Sequence, residues 1–235
     1  MIQVDNLHKV YNGTTVLQIE SLTLGRGESI GLVGNNGAGK TTFFSLLLDL
    51  IQPSAGSIYS NGKSVATSEQ WKNYTTAFLD ETFLIGYLTA EEYFVFLGSL
   101  RGWSKTEVET FIAEHQAFFN GEVLNQKKYI RDFSKGNQKK IGIIGAFIGN
   151  PELVILDEPF ANLDPSTQIR LKELVKKKRE TRAMTILISS HDLQHTYEVS
   201  DRIIALDKGR LLHDVQTSTL TYHELEGFFS TEIEM

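Results

Sequence analysis

The chain has 235 residues, 41% of them hydrophobic and 22% charged, with a formal net charge of -6 and no cysteine. Its length and balance suit one substantial core, or two tightly packed lobes, and exclude a disordered or fibrous chain. The lack of cysteine excludes disulfides, thiol nucleophiles and cysteine-ligated metals and is compatible with a reducing compartment, while the acidic charge offers no broad footprint for nucleic acid, so none is expected as a partner.

The N-terminal MIQVDNLHKVY lacks the charged-then-apolar pattern of a secretion signal. No segment approaches the roughly 20 apolar residues of a membrane-spanning helix. The first sixty residues read as short strands around turns, IQVDNLHKVY, VLQIESLTL and the buried SIGLVG, followed by SIYSNGKSV with an Asn61-Gly62 hairpin signal. After Lys40 the apolar positions Phe43, Leu47 and Leu50 follow one helical face, and Pro53 closes the segment. From about residue 85 to 150 the pattern turns helical. Thr89-Ala90-Glu91-Glu92 and Ser104-Lys105-Thr106-Glu107 are capping-box patterns, and Tyr93, Phe96, Leu97 and Leu100 share a face. LVILDEP, from Leu153, reads as a buried strand, Asp164-Pro165 as a helix start and MTILISS as another buried strand. Alternating strand and helix predicts an α/β core with a mostly parallel sheet, an antiparallel N-terminal part and an inserted helical lobe. The expected division is an α/β core from residues 1–84 and 151–235 and a helical lobe from 85–150. The basic runs KKYIR, QKK and KKKRE read as solvated helix faces. The acidic-apolar tail HELEGFFSTEIEM carries no chemical signal.

Between the strand SIGLVG and the following helix stands Gly34-Asn35-Asn36-Gly37-Ala38-Gly39-Lys40-Thr41, the pattern of a phosphate-binding loop in the strand-turn-helix context it requires. Glycines let successive N-H groups converge on phosphate oxygens at a helix N-terminus. Lys40 would neutralise the β- and γ-phosphates, Thr41 would ligate Mg²⁺ and Thr42 would donate near the α-phosphate. Such a loop needs an acidic partner for the metal, and Asp157, ending the apolar run LVIL, is placed for it. The next residue, Glu158, can polarise the water that attacks the γ-phosphorus.

With these motifs the sequence resembles the ATP-binding cassette (ABC) ATPases, the nucleotide-binding subunits of ABC transporters, over essentially its whole length. Phe133-Ser134-Lys135-Gly136-Asn137 stands where that family carries its LSGGQ signature. The resemblance implies that Ser134 and Gly136 reach the γ-phosphate of ATP held by a second subunit, where the charge of Lys135 would help hold the anionic nucleotide, so that a second copy of this chain, or a homologous ATPase subunit, is a partner. It further implies that Tyr11 stacks on adenine, that Ala161-Asn162-Leu163-Asp164 contacts the opposite subunit, and that His191 in SSHDL senses the γ-phosphate. Lys40, Glu158 and His191 are then the catalytic group. Three positions depart from the pattern: Lys135 for the first signature glycine, Asn137 for its glutamine, and Glu81, in AFLDET, for a metal-sensing glutamine. Glu81 is similar to the drug- and antibiotic-export branch.

The function implied is a Mg²⁺-dependent ATPase that drives a separate integral-membrane permease, which would place the chain in the cytoplasm at the inner face of the membrane. FLIGYLTAEEYFVF is the implied docking surface. A soluble ABC ATPase without a permease, such as one of cofactor assembly, stays open as an alternative. A phosphate-loop kinase or GTPase would leave the signature, Asp164 loop and His191 as coincidences.

Overall fold

Alternation of apolar and polar residues builds the first hairpin. Ile2, Val4 and Leu7 of β1 (Ile2–Tyr11) face the core opposite Leu24, Leu22 and Ile19 of the antiparallel β2 (Thr14–Leu24). The structure is a computed structural model that describes residues 1–181 and 184–231, with side chains described as far as Gly227; the end of the acidic-apolar tail lies outside the described residues. On its other edge β1 pairs with β4 (Ala55–Ser60), which turns at Asn61-Gly62 into β5 (Lys63–Ser64). Both turn residues are left-handed, at φ 49 and 76, the mirror-image turn that the Asn-Gly pair favours.

All five residues of β3 (Ser29–Val33) are buried, as are those of β7 (Leu153–Leu156) and β8 (Thr185–Ser190). Such runs belong to parallel strands covered on both faces. With β6 (Thr75–Phe78) and β9 (Arg202–Asp207) they form the parallel part of one ten-stranded sheet, ordered β5-β4-β1-β2-β10-β9-β3-β8-β7-β6, with β10 (Arg210–Gln216) antiparallel to β9. Alternate residues of β7 enter different cores. Leu153 and Ile155 pack with Phe43 and Phe44 of α1 (Lys40–Leu47). Val154 and Leu156 pack on the opposite face with Phe94 of α2 (Ala90–Leu100), Val108 of α3 (Lys105–Glu114), Ile141 of α4 (Lys135–Gly145) and Leu171 of α5 (Pro165–Glu180). α6 (Leu193–Val199) packs against β3 and β8, and α7 (Tyr222–Thr231) follows β10. No helix of the described residues is long and apolar enough to cross a membrane.

Both capping boxes form. Glu92 N donates to Thr89 Oγ1 at 3.2 Å and Thr89 N to Glu92 Oε2 at 2.8 Å, with the same exchange between Ser104 and Glu107. Three details differ from the sequence reading. α1 ends at Leu47, where Asp49 turns left-handed (φ 51) and Leu50 N reaches back to Ser45 O at 2.9 Å, so Leu50 is exposed and Pro53 lies beyond the helix. In α2 the buried face is Ala90, Tyr93 and Phe94, while Phe96 and Leu100 are exposed, because the helix packs over α3 and α4 on that flank. The QKK run is no solvated face: Lys139 and Lys140 are 7% and 2% exposed, each drawn inward by carboxylates.

Candidate functional site

Four neighbouring parallel strands, β3, β8, β7 and β6, end on one edge of the sheet, where open α/β sheets place their ligands. β3 runs into the loop 34–39 and α1. At Gly34 a Cβ would lie 2.2 Å from Leu206 O, and Gly39 has φ 106, so both positions require glycine. Asn35, Asn36 and Gly37 stand exposed at the tip, Ala38 is buried and Thr42 is half-buried. The Lys40 ammonium, 6% exposed, donates to Gly34 O at 2.6 Å and Asn35 O at 3.3 Å, and lies 3.2 Å from Glu158 Oε1.

β7 delivers the acids. Thr41 Oγ1 donates to Asp157 Oδ2 at 2.6 Å, and Ser189, from β8, donates a hydrogen bond to Asp157 Oδ1. Burial pushes the Asp157 carboxyl above its ordinary pKa, against these two hydroxyls. Thr41 and Asp157 thus converge two hard oxygens, a set suited to Mg²⁺ that keeps other coordination positions for phosphate and water. Glu158 has a left-handed backbone, φ 45, fixed by its N-H on Ser189 Oγ at 2.8 Å. Its second carboxylate oxygen, Oε2, meets His191 Nδ1 at 2.8 Å and His191 N at 3.3 Å. The structure therefore brings Lys40, Thr41, Asp157, Glu158 and His191 into one linked group: a cation and backbone amides for phosphate, oxygens for a hard cation, and a carboxylate for water.

Residues 17–161 match the ABC transporter family. The chain belongs to that family. It is 34% identical over 216 residues to the linearmycin resistance ATP-binding protein LnrL of Bacillus subtilis (strain 168), covering 90% of this chain and 68% of that one. Among solved structures, the ATP-binding subunit of an ABC transporter is 29% identical with a TM-score of 0.82, over 92% of this chain and 90% of that chain. The dimeric post-hydrolysis state of the ATP-binding cassette MJ0796, bound to ADP and Pi, superposes with a TM-score of 0.81 over 92% of this chain and 99% of that one; at 22% identity this likeness is one of fold. The chain is an ATP-binding ATPase subunit of the ABC type.

The other positions read from the ABC pattern stand on other elements. Ser134 caps α4, accepting from Asn137 N at 3.3 Å, and Lys135 is exposed beside it. A Cβ on Gly136 would stand 3.2 Å from Asn162 O, which brings the signature turn against the Asp164 loop. Among the described residues no hydrogen bond or ion pair joins Ser134, Lys135 or Gly136 to loop 34–42. Asp164 caps α5, accepting from Ser166 Oγ at 2.6 Å and from Thr167 N and Oγ1 at 2.9 and 2.6 Å, bonds that hold its carboxyl well below the ordinary range. Tyr11, 46% exposed at the end of β1, has the Lys9 ammonium 4.7 Å from its ring centroid. Glu81 follows β6, and its carboxylate lies 3.9 Å from Lys139 rather than in the Thr41–Asp157 pair.

Sequence reasoning missed Ser189, Lys139 and Lys140. A serine pair closing the apolar strand TILISS, just before His191, was the available signal for Ser189. Lys140 bridges Glu122 at 2.8 Å and Asp164 at 3.3 Å, tying the signature helix to the start of α5, and nothing in a basic run marks it for that role.

Proposed function

We propose that the chain binds Mg²⁺ and ATP on the strand-end edge and hydrolyses the ATP at an interface completed by a second ATPase subunit. The observation that carries this reading is the linkage of Lys40, Thr41, Asp157, Glu158 and His191 by contacts of 2.6 to 3.3 Å at adjacent strand ends. Loop amides from Gly34 to Gly39 and the Lys40 ammonium hold the phosphates, with Thr42 alongside. Thr41 and Asp157 would hold Mg²⁺, which neutralises phosphate charge when bound. Glu158 orients the attacking water and takes its proton as the water oxygen bonds to the γ-phosphorus and the bond to ADP breaks. His191, bonded to the same carboxylate, reports the γ-phosphate to it. Tyr11 offers an exposed ring for adenine.

Ser134, Lys135, Gly136 and Asp164 form the face offered to the second subunit. In this reading residues 1–84 and 151–235 make the ATP-binding core and 85–150 the helical lobe that carries the signature. The same chain docks on a membrane permease at the inner face of the membrane, with exposed Phe83, Tyr87 and Phe96 as apolar contacts. The name of the linearmycin resistance relative supports export as the direction. Copurification of the chain with an integral-membrane protein from detergent-solubilised membranes tests the docking. Recovery of an active, permease-free ATPase from the soluble fraction alone would favour the uncoupled reading.

A further inference from the structure

Lys139 lies one turn into α4, with its side chain 9% exposed. Its ammonium donates to Glu158 O at 3.0 Å and stands 3.9 Å from Glu81 Oε1. Burial lowers its pKa, while Glu81, Glu158, Asp157 and Asp80, in that order, favour its charge. Glu158 occupies the left-handed region, which costs a non-glycine residue energy unless its surroundings fix it. Its backbone is held at three points: its N-H on Ser189, and its carbonyl by Ala161 N at 3.2 Å and by Lys139. Of the three, the lysine bond alone comes from the helix that the signature turn begins. The same cation offsets the charge that Glu81 introduces beside the site.

We propose that Lys139 is a positioning residue for hydrolysis, holding the Glu158 peptide in its turn and neutralising Glu81 so that this carboxylate stays apart from the Thr41–Asp157 pair. The inference rests on the ATPase reading of Glu158 given above. Its physical content is a pair that fails when one partner is removed and recovers when both are neutral, since an unpaired buried charge costs more than no charge. Charge and donor are separable. Glutamine at 139, one bond shorter than lysine, still offers an N-H toward Glu158 O, whereas methionine has the length of glutamine and no donor.

The test is a set of variants, Glu81→Gln, Lys139→Gln, the double Glu81→Gln/Lys139→Gln and the double Glu81→Gln/Lys139→Met, each measured for kcat, KM for ATP and thermal unfolding. Either single glutamine variant is expected to lower kcat about 10-fold or more with KM within about two-fold, as a misplaced catalytic group does. The glutamine pair should return to within about three-fold of wild type, and the methionine pair should not, because coupled neighbours depart from additivity. A glutamine pair as slow as the product of its singles overturns the neutralising role, and a methionine pair that recovers overturns the bond to Glu158. Coupling in the melts with kcat unmoved would make Lys139 a stability residue and also sink the proposal. Wild-type protein whose turnover is unaffected by Glu158→Gln would instead overturn the reading on which this one rests, and with it the positioning role.

Discussion

His191 Nδ1 lies 2.8 Å from Glu158 Oε2, while Lys40 faces the other oxygen of that carboxylate at 3.2 Å. The carboxylate is gripped from both ends, by a group tied to the phosphate loop and by one that follows β8. It cannot rotate without breaking one contact, so its orientation is tied to what the phosphate loop holds.

Glu158→Gln preserves shape and the contact with His191 but removes the proton acceptor. Nucleotide binding is expected to persist while hydrolysis falls by about 10² to 10⁴. The variant should elute as an ATP-loaded dimer from gel filtration in Mg-ATP. Turnover at the wild-type rate would exclude Glu158 as the base.

Two inactive proteins should complement one another. Lys40→Ala damages the phosphate loop and Ser134→Arg the signature; if each ATP lies between the loop of one chain and the signature of the other, in a mixed dimer both lesions fall in one site, leaving the other intact. Random exchange makes about half the dimers mixed, each with one of two sites intact, so recovery should approach about a quarter of wild-type ATPase if single sites fire independently. After verified subunit exchange, an absence of recovery means that sites form within one chain or that both must be intact. A covalently linked mixed dimer, assayed for ATP bound per dimer, separates those two cases.

Asp157 should weigh against stability at neutral pH. Burial raises its carboxyl in the folded state, so the stability it allows is complete below its unfolded pKa and lost as pH rises through the folded one. Asp157→Asn is therefore expected to melt a few degrees higher than wild type near pH 7, at about 2–4 °C per kcal/mol for a chain of this size, with the gap closing in acid. The same variant should lose the extra stabilisation that Mg²⁺ adds to ATP, read by melts with and without the metal. A lower melting point at pH 7 would show that the Thr41 and Ser189 hydrogen bonds outweigh the burial of charge.

Asp164 has the opposite sign. Hydrogen bonds from Ser166 and Thr167 depress its carboxyl, so its contribution is present above the unfolded pKa and lost as pH falls through the lower folded value. The side chain is 42% exposed, so solvent screens the charge and the cap itself dominates. Asp164→Ala should cost about 1 kcal/mol at pH 7, whereas Asp164→Asn, an equally good cap, should recover most of it. Denaturant titrations of the three proteins check the order, and an asparagine variant as weak as alanine would assign the effect to charge.

Much of this site was legible because its parts are local. The loop 34–41 announces itself by glycine spacing, Asp157 and Glu158 by following an apolar run, and the starts of α2 and α3 by reciprocal Thr-Glu and Ser-Glu pairs. What stayed hidden depends on contacts distant in sequence. Helical periodicity could not choose the buried flank of α2, since α3, α4 and the sheet compete for it, and Phe94 won over Phe96. Lys139 and Lys140 read as solvated because their partners Glu81, Glu122 and Asp164 lie 18 to 58 positions away in the chain. Contacts across the proposed interface would belong to a second subunit and have no signature in one chain beyond the motif resemblance.

With Glu158 as the proposed base, its left-handed backbone, φ 45, would set activity against robustness in any laboratory evolution of this protein. Glycine would adopt that conformation without strain, and asparagine with less than glutamate. A selection for heat resistance or expression alone would reward replacement at this position, although, with Glu158 as the proposed base, the replacement is expected to remove turnover. Thermostable variants of the chain should therefore be screened for ATP hydrolysis before their folding gains are counted, and the residue to sequence first in inactive survivors is 158.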